Sequence, residues 1–289
     1  MNIIAKYASL VKFSHTVFAM PFALMSYAAA TMGADGGGAA GLRWTTLLMV
    51  LLCLVAARNA AMSFNRIADR DIDGRNPRTT QREIPSGQLS LRAARWFCMA
   101  NSVIFVAAAA LINPLAGWLS PVALALLLGY SYTKRFTWAS HLALGLALAI
   151  APVGAWIAVR GAFGLFPIVL AGVVLTWVGG FDIIYSLQDV DFDRREGLHS
   201  APARFTVAGA IAISMALHVL SLAGVVVVGM LFFSGFVYWI GALLFASTLV
   251  AQHLIATPKR FARIGPTFTL VNGAASICYC LCAMVAMWI

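Results

Sequence analysis

Long apolar stretches alternate with short polar segments along the whole chain. A helix needs about 20 mostly apolar residues to cross the hydrocarbon layer of a membrane, and its backbone polar groups must pair within the helix. Nine stretches meet this requirement: residues 14–32, 44–64, 94–112, 115–132, 138–158, 163–185, 205–229, 233–253 and 266–288. The pattern therefore predicts an all-α polytopic membrane protein, a bundle of nine transmembrane helices in which residues 1–289 form a single domain.

Charged residues are few and lie mostly on one predicted side of the membrane. Hydrophobic residues make up 62% of the 289 residues and charged residues 10%. If the spans alternate in direction, seventeen of the 20 Lys and Arg residues fall on the side of the N-terminus. The positive-inside rule then places the N-terminus and these loops in the cytoplasm and the C-terminus outside, in a cytoplasmic (inner) membrane. Because topology accounts for the net charge of +10, the expected partner is the lipid bilayer, with no nucleic acid.

Nine of the ten acidic residues form two clusters, which we call the first acidic cluster (residues 69–83) and the second acidic cluster (residues 182–196). Each cluster begins near the end of an apolar stretch, where an unpaired charge is costly, so cations are expected to bind there. The clusters follow spans two and six and share an Asp-x-Asp-x-Asp core. This hints at a duplicated four-helix unit with a ninth helix appended.

The first acidic cluster extends a set of oxygen donors with helical spacing. Asn65, Asp69 and Asp73 recur every four residues and share one face if the helix continues through them, whereas Asp71 faces away. Amide and carboxylate oxygens suit a hard ion such as Mg²⁺, which keeps several waters and bridges to phosphate oxygens. The spacing therefore predicts a magnesium site.

The second acidic cluster repeats this arrangement. On a helical wheel Asp182, Tyr185, Asp189 and Asp193 fall on one side, and Asp191 again faces away. We predict a second set of magnesium ligands here, Asp189 and Asp193.

Basic side chains accompany both clusters. Arg58 lies two helical turns before Asn65, and Arg78 and Arg82 follow the first Asp set. Lys134 ends the fourth span, four residues after Tyr130. Guanidinium and ammonium groups bind phosphate oxygens that a metal leaves free, so the combined pattern predicts a diphosphate site.

The acidic clusters have three other interpretations. The acidic clusters would be solvated, self-neutralising loops if they bound nothing. A CDP-alcohol phosphotransferase places Gly directly after an Asp-x-x-Asp pair, whereas Gly74 here follows an Asp-x-x-x-Asp pair. An ion-coupled transporter would carry its acids near the bilayer midplane, whereas these lie at span ends.

Four motifs resemble those of the UbiA superfamily of intramembrane prenyltransferases, in the family's order and over most of the chain. The first is Asn-x-x-x-Asp-x-x-x-Asp, the second Arg-Thr-x-x-Arg followed by Pro-x-Gly, the third Tyr-x-x-x-Lys, and the fourth an Asp and a Tyr followed by Asp-x-x-x-Asp. The matching residues are Asn65, Asp69, Asp73, Arg78, Thr79, Arg82, Pro85, Gly87, Tyr130, Lys134, Asp182, Tyr185, Asp189 and Asp193.

The resemblance implies a nine-helix bundle and magnesium-dependent transfer of a prenyl group from polyprenyl diphosphate to an aromatic acceptor. The metal ligands are then Asn65, Asp69, Asp73, Asp189 and Asp193. The diphosphate is bound by Arg58, Arg78, Arg82, Tyr130, Lys134 and Tyr185. The catalytic residues are Asp69, Asp182 and Asp189, of which Asp182 is expected to orient or deprotonate the acceptor phenol.

The acceptor class follows from the same resemblance. Residues 185–204 resemble the bacterial 4-hydroxybenzoate polyprenyltransferases, including a branch thought to prenylate a dihydroxynaphthoate for menaquinone. We therefore expect a small hydroxylated aromatic acid in quinone biosynthesis, with 4-hydroxybenzoate ranked first and dihydroxynaphthoate as the alternative. The chain departs from the family pattern at His15, Glu83 and His199.

Overall fold

The computed structural model describes residues 3–11, 18–33, 38–255 and 264–289, and regular structure within these ranges is helical. A 3₁₀ turn, Leu187–Asp189, lies between two of the helices. The α-helices of the described ranges are α1 (Ile3–Leu10), α2 (Met20–Met32), α3 (Trp44–Ala68), α4 (Arg70–Arg75), α5 (Leu91–Ile112), α6 (Pro114–Thr133), α7 (Ser140–Arg160), α8 (Leu165–Ser186), α9 (Val190–Arg195), α10 (Ala201–Arg204), α11 (Val207–Phe232), α12 (Phe236–Ile255) and α13 (Ile264–Ala286). The all-α prediction is confirmed.

Seven helices of the described chain are long and apolar enough to cross a membrane: α3, α5, α6, α7, α8, α11 and α12. The other two predicted spans are not among these seven. Helix α2 has 13 residues, with Pro21 in its first turn, and α13 has 23 residues, of which Leu270–Ala286 count as a shorter apolar helix. The predicted start of the first span, including His15, lies outside the described residues. A helical membrane protein is therefore shown, but nine spans are not confirmed.

Polar side chains cap the first turns of two of the long helices, α6 and α11. Only Asn113 separates α5 from α6, and its Oδ1 accepts a hydrogen bond from the Ala116 N–H at 2.9 Å, which caps α6. Helix α11 is capped by Thr206, whose Oγ1 accepts from the Gly209 N–H at 3.0 Å. These caps satisfy backbone donors that the first turn of a helix leaves without a partner.

The helices divide into two compact units. One contains α1 and α3–α6 and comprises Met1–Thr16 and Thr45–Tyr132. The other contains α2 and α7–α13 and comprises Val17–Trp44 and Thr133–Ile289. The single domain and the duplicated four-helix unit stay predictions.

Helices α3 and α5 of the first unit are joined by polar and apolar contacts. The Asn59 Nδ2 donates to the Asn101 Oδ1 at 3.0 Å. A small core around Leu10 and Leu89 continues into the Tyr7 and Phe97 rings, whose centroids are 4.7 Å apart. This core holds α1 and the start of α5 beside the end of α3.

The second unit has a large aromatic core and a close helix pair. Trp156, Trp177 and Phe245 are fully buried there. Helices α7 and α8 approach so closely at Gly145 that a Cβ there would overlap the Leu175 carbonyl oxygen. Small residues favour such close packing within membranes, where lipid and protein interior are similarly apolar. The α7–α8 pair carries part of the candidate site.

Candidate active site

The first acidic cluster begins where α3 ends. Helix α4 starts at Arg70, and Asp69 between the two helices has a non-helical conformation (φ −93°, ψ 4°). Helical hydrogen bonds nevertheless continue, from the Asp69 N–H to the Asn65 carbonyl at 2.9 Å and from the Asp73 N–H to the Asp69 carbonyl at 2.7 Å. The predicted spacing is thus preserved across a break in the helix.

Burial distinguishes the carboxylates of this cluster. Asp69 and Asp73 are 2% and 3% exposed. The Asp71 side chain is 68% exposed and lies 3.1 Å from the Arg70 Nη2. Asp69 and Asp73 therefore share the interior side of the segment and Asp71 lies at the surface, in agreement with the predicted face.

Both buried carboxylates have partners on nearby side chains. The Asn65 Nδ2 donates to the Asp69 Oδ2 at 3.2 Å. The Arg82 Nη1 donates to both Asp73 carboxylate oxygens at 2.7 Å. Arg82, predicted to bind diphosphate, thus compensates the charge of Asp73 in this structure.

Arg66 lies in the candidate site although no sequence motif pointed to it. It is 3% exposed, and its Nη1 donates to the Asn65 Oδ1 at 3.3 Å. It interacts electrostatically with Asp73 and Glu83, and Glu83 accepts a hydrogen bond from the Ser9 hydroxyl. A basic residue in the last turn of an apolar helix was the available signal, but Arg66 lies about 100° from Asn65 on the helical wheel.

The remaining predicted phosphate ligands of the first unit differ in burial. Arg58 is half-buried and interacts electrostatically with Tyr130; its buried Nε has no hydrogen-bond partner within the described ranges. Tyr130 also interacts with Arg66. Arg78 lies at the surface, and its backbone N–H donates to the Asn76 Oδ1 at 2.9 Å. The structure thus brings Arg58, Arg66 and Tyr130 together.

The second acidic cluster contains a break in its helix. Helix α8 ends at Ser186, and the 3₁₀ turn Leu187–Asp189 precedes α9. A 3₁₀ turn has fewer residues per turn than an α-helix, so the uniform helical wheel used in the prediction is wrong in detail after Ser186. Asp191 is nevertheless exposed, as predicted. The four predicted site residues are all half-buried: Asp182, Tyr185, Asp189 and Asp193.

Lys134 belongs to this second cluster in space. Its charge interacts electrostatically with the Asp193 carboxylate, and so does the charge of the neighbouring Asp189. The His199 N–H donates to the Lys134 carbonyl at 2.7 Å. This hydrogen bond fixes the start of the α6–α7 connection against the segment that follows α9.

His141 is a second residue that lies in the candidate site although no sequence motif pointed to it. It lies in the first turn of α7, and its Nδ1 is 2.6 Å from the Asp182 Oδ2. The backbone N–H of Ala201 donates to its Nε2 at 3.2 Å. A lone histidine in a helical turn has no local motif, and its partner is 41 positions away.

The donor set of each unit fits magnesium when other ligands complete it. Within the described ranges no three His, Cys, Asp or Glu side chains form a group that could hold a metal by themselves. Mg²⁺ commonly uses one or two carboxylates together with waters and substrate phosphates. Asp69 with Asn65, and Asp189 with Asp193, are oxygen donors of this kind.

Comparison with known proteins shows the family. The sequence model of the UbiA prenyltransferase family matches residues 19–286. A 4-hydroxybenzoate octaprenyltransferase of Vibrio parahaemolyticus is 31% identical over 218 residues, which cover 75% of this chain and 76% of that protein. The apo structure of a UbiA homologue from Aeropyrum pernix is 33% identical, with a TM-score of 0.84 over 94% of this chain and 98% of that one. A UbiA homologue from Archaeoglobus fulgidus, bound to GPP and Mg²⁺, shares the fold at 18% identity, with a TM-score of 0.76 over 98% of this chain and all of that one.

The helical membrane fold and the two motif-bearing segments therefore define a membrane-embedded prenyltransferase. The chain belongs to the UbiA prenyltransferase family. The resemblance drawn from the motifs is confirmed, and so is the prediction of an aromatic prenyltransferase similar to the 4-hydroxybenzoate polyprenyltransferases. Membership of this enzyme family also removes the reason for considering a transporter.

Proposed function

We propose that this enzyme transfers a polyprenyl group from polyprenyl diphosphate to a hydroxylated aromatic acid, with 4-hydroxybenzoate as the first candidate acceptor. The observation that carries the proposal is the pair of buried carboxylates, Asp69 and Asp73, at the end of an apolar helix beside Arg66 and Arg82. The name of the Vibrio relative supports the acceptor. Dihydroxynaphthoate is the alternative acceptor, because residues 185–204 also resemble the menaquinone branch.

Each acidic cluster supplies ligands for Mg²⁺ in this proposal, and transfer requires both clusters. The ligands are Asn65, Asp69, Asp73, Asp189 and Asp193. The bound GPP and Mg²⁺ of the Archaeoglobus homologue, which shares the fold, support the use of a divalent metal. Magnesium would neutralise charge on the diphosphate as it leaves.

The remaining polar residues bind the diphosphate. Arg58, Arg78, Arg82, Tyr130, Lys134 and Tyr185 are the proposed ligands of its oxygens. Burial favours Arg58, because its guanidinium has an Nε without a hydrogen-bond partner in the described part of the chain, and a phosphate oxygen would satisfy it. Arg82 must share its interaction with Asp73 or exchange it for the substrate.

In the proposed transfer one C–O bond breaks, one C–C bond forms and one proton is released. The bond between the allylic carbon and the diphosphate oxygen breaks, and its electron pair leaves with the diphosphate. The allylic carbon then bonds to a ring carbon of the acceptor, and the ring loses a proton. Apolar helices around the reacting carbon exclude water, which would otherwise give the prenyl alcohol. Asp182 orients the acceptor hydroxyl or accepts its proton.

The enzyme is placed by this proposal in the cytoplasmic (inner) membrane, with its N-terminus and both acidic clusters on the cytoplasmic side. The distribution of basic residues along the chain supports this orientation. The acceptor and the diphosphate are then drawn from the cytoplasmic side and the bilayer.

The test is a transfer assay with isolated membranes. Membranes containing the enzyme are incubated with Mg²⁺, polyprenyl diphosphate and either 4-hydroxybenzoate or a dihydroxynaphthoate, and the product is identified by mass. We expect one prenylated acid, loss of the product with EDTA, and recovery when Mg²⁺ is restored. Absence of product and of diphosphate release with every acceptor would contradict the proposal.

A further inference from the structure

His141 is held between two partners of the second unit. The residue is 4% exposed and lies in the first turn of α7. On one side its Nδ1 contacts the Asp182 Oδ2 of α8 at 2.6 Å, and on the other its Nε2 contacts the backbone N–H of Ala201, the first residue of α10, at 3.2 Å. The imidazole therefore connects three helices beside a predicted catalytic carboxylate.

The two contacts fix the position of the imidazole proton. A backbone N–H can only donate, so the His141 Nε2 must accept with its lone pair. The ring proton is then on Nδ1 and is donated to Asp182.

This hydrogen bond engages only one oxygen of Asp182. The carboxylate keeps 26% of its side-chain surface exposed, whereas the His141 side chain is 6% exposed. His141 thus fixes the rotamer of Asp182 through Oδ2. The other oxygen, Oδ1, has no hydrogen bond in the described part of the chain, so it can interact with a bound molecule.

We propose that His141 is a positioning residue for prenyl transfer, which orients Asp182 so that its Oδ1 takes the proton of the acceptor hydroxyl. The inference rests on the proposed function. The O–H bond of the acceptor breaks, its proton passes to Asp182, and the resulting phenolate supplies the electron pair that joins the ring carbon to the prenyl carbon. The diphosphate leaves with the electron pair of the breaking C–O bond. The attacked ring carbon then loses its own hydrogen as the released proton, the ring becomes aromatic again, and Asp182 returns its proton to the acceptor oxygen. His141 keeps its Nδ1 proton throughout.

Two amide substitutions distinguish the orientation of Asp182 from a purely structural role of His141 in helix packing. In His141→Asn the amide nitrogen replaces Nδ1 and can still donate to Asp182. In His141→Gln the longer amide reaches the position of Nε2 and can still accept from Ala201, but the donor to Asp182 is lost. We expect kcat to fall about 10- to 100-fold in His141→Gln and in His141→Ala, as is typical when the group that orients a functional side chain is removed. His141→Asn should remain at least about tenfold faster than His141→Gln.

The KM for polyprenyl diphosphate should stay unchanged in these variants, because His141 acts on the acceptor side. A fluorinated 4-hydroxybenzoate gives a second readout. Its hydroxyl is more acidic and depends less on a base, so the loss in His141→Gln should shrink with this acceptor. The melting temperature of each variant in detergent measures how far His141 stabilises the packing of its three helices.

Several results would overturn the inference. If the kcat of His141→Gln equalled or exceeded that of His141→Asn, the contact with Ala201 would matter and the contact with Asp182 would not. Equal losses in all variants with both acceptors, or wild-type rates in all of them, would likewise exclude positioning of Asp182. A wild-type enzyme that prenylates no acceptor would instead contradict the proposed function itself.

Discussion

Asp69 and Asp71 are two positions apart and differ in burial, as Asp189 and Asp191 do in the second acidic cluster. We predict that Asp69→Ala or Asp189→Ala lowers the transfer rate about 100-fold or more, because each removes a proposed ligand of the Mg²⁺ that would neutralise charge on the leaving diphosphate. Product formation at saturating Mg²⁺ measures the effect.

The matched controls are Asp71→Ala and Asp191→Ala. An exposed ion pair such as that of Asp71 with Arg70 contributes about 0–1 kcal/mol, so these variants should fold and keep most of their rate. Equal losses at all four positions would refute the assignment of the buried face.

Arg66 is predicted to act on stability. Its guanidinium compensates the buried charges of Asp73 and Glu83, and removing one partner of such a group costs about 3–5 kcal/mol. Arg66→Met should therefore lower the melting temperature in detergent, whereas Arg70→Met at the exposed neighbour should not. The double variant Arg66→Met with Glu83→Gln should recover part of the loss; no recovery would show that Glu83 is not the coupled charge.

Single residues show where sequence reasoning about the site ends. Asp69, Asp71 and Asp73 could be sorted by face because helical spacing is a local property. Arg66 and His141 could not be assigned, because their partners are set by packing between separate segments. His141 meets Asp182 only when α7 packs on α8, and no spacing rule links the two.

Hydropathy predicted the helices themselves with small errors at their ends. The predicted span 44–64 corresponds to the helix Trp44–Ala68, and the predicted span 163–185 corresponds to the helix Leu165–Ser186. The interruptions at Asp69 and at Leu187–Asp189 were not predicted. Both occur in the acidic clusters, where side-chain contacts with other segments compete with regular helix geometry.

The α7–α8 contact provides a prediction at the scale of helices. A Cβ at Gly145 would overlap the Leu175 carbonyl, so Gly145→Ala must push the two helices apart at a cost of about 1–3 kcal/mol. Because α7 carries His141 and α8 carries Asp182, we expect both a lower melting temperature and a lower kcat.

Gly154, also on α7, is the control for this substitution. A Cβ there meets nothing within 4 Å, and Gly154→Ala gains the same helix propensity, about 1 kcal/mol. The difference between the two variants isolates helix packing. Similar melting temperatures for both would show that α7 and α8 tolerate separation at Gly145.

At the scale of the whole molecule, the distribution of charge predicts which side of the membrane each loop faces. Gln81 lies in the first acidic cluster and Ala162 in the loop after α7. Three candidate spans, α5, α6 and α7, separate these two positions. An odd number of crossings places them on opposite sides, and the positive-inside rule assigns Gln81 to the cytoplasm.

Cysteine labelling tests this topology. The five native cysteines are free, so they are first replaced, and Gln81→Cys or Ala162→Cys is then introduced singly. We expect a membrane-impermeant thiol reagent to label Ala162→Cys when only the outer face is accessible, and Gln81→Cys only after the membrane is opened. The reverse pattern would invert the orientation, and labelling of both from outside would mean that the three helices do not each cross once. The count does not depend on α2 or α13, so it holds whether or not those helices complete nine spans.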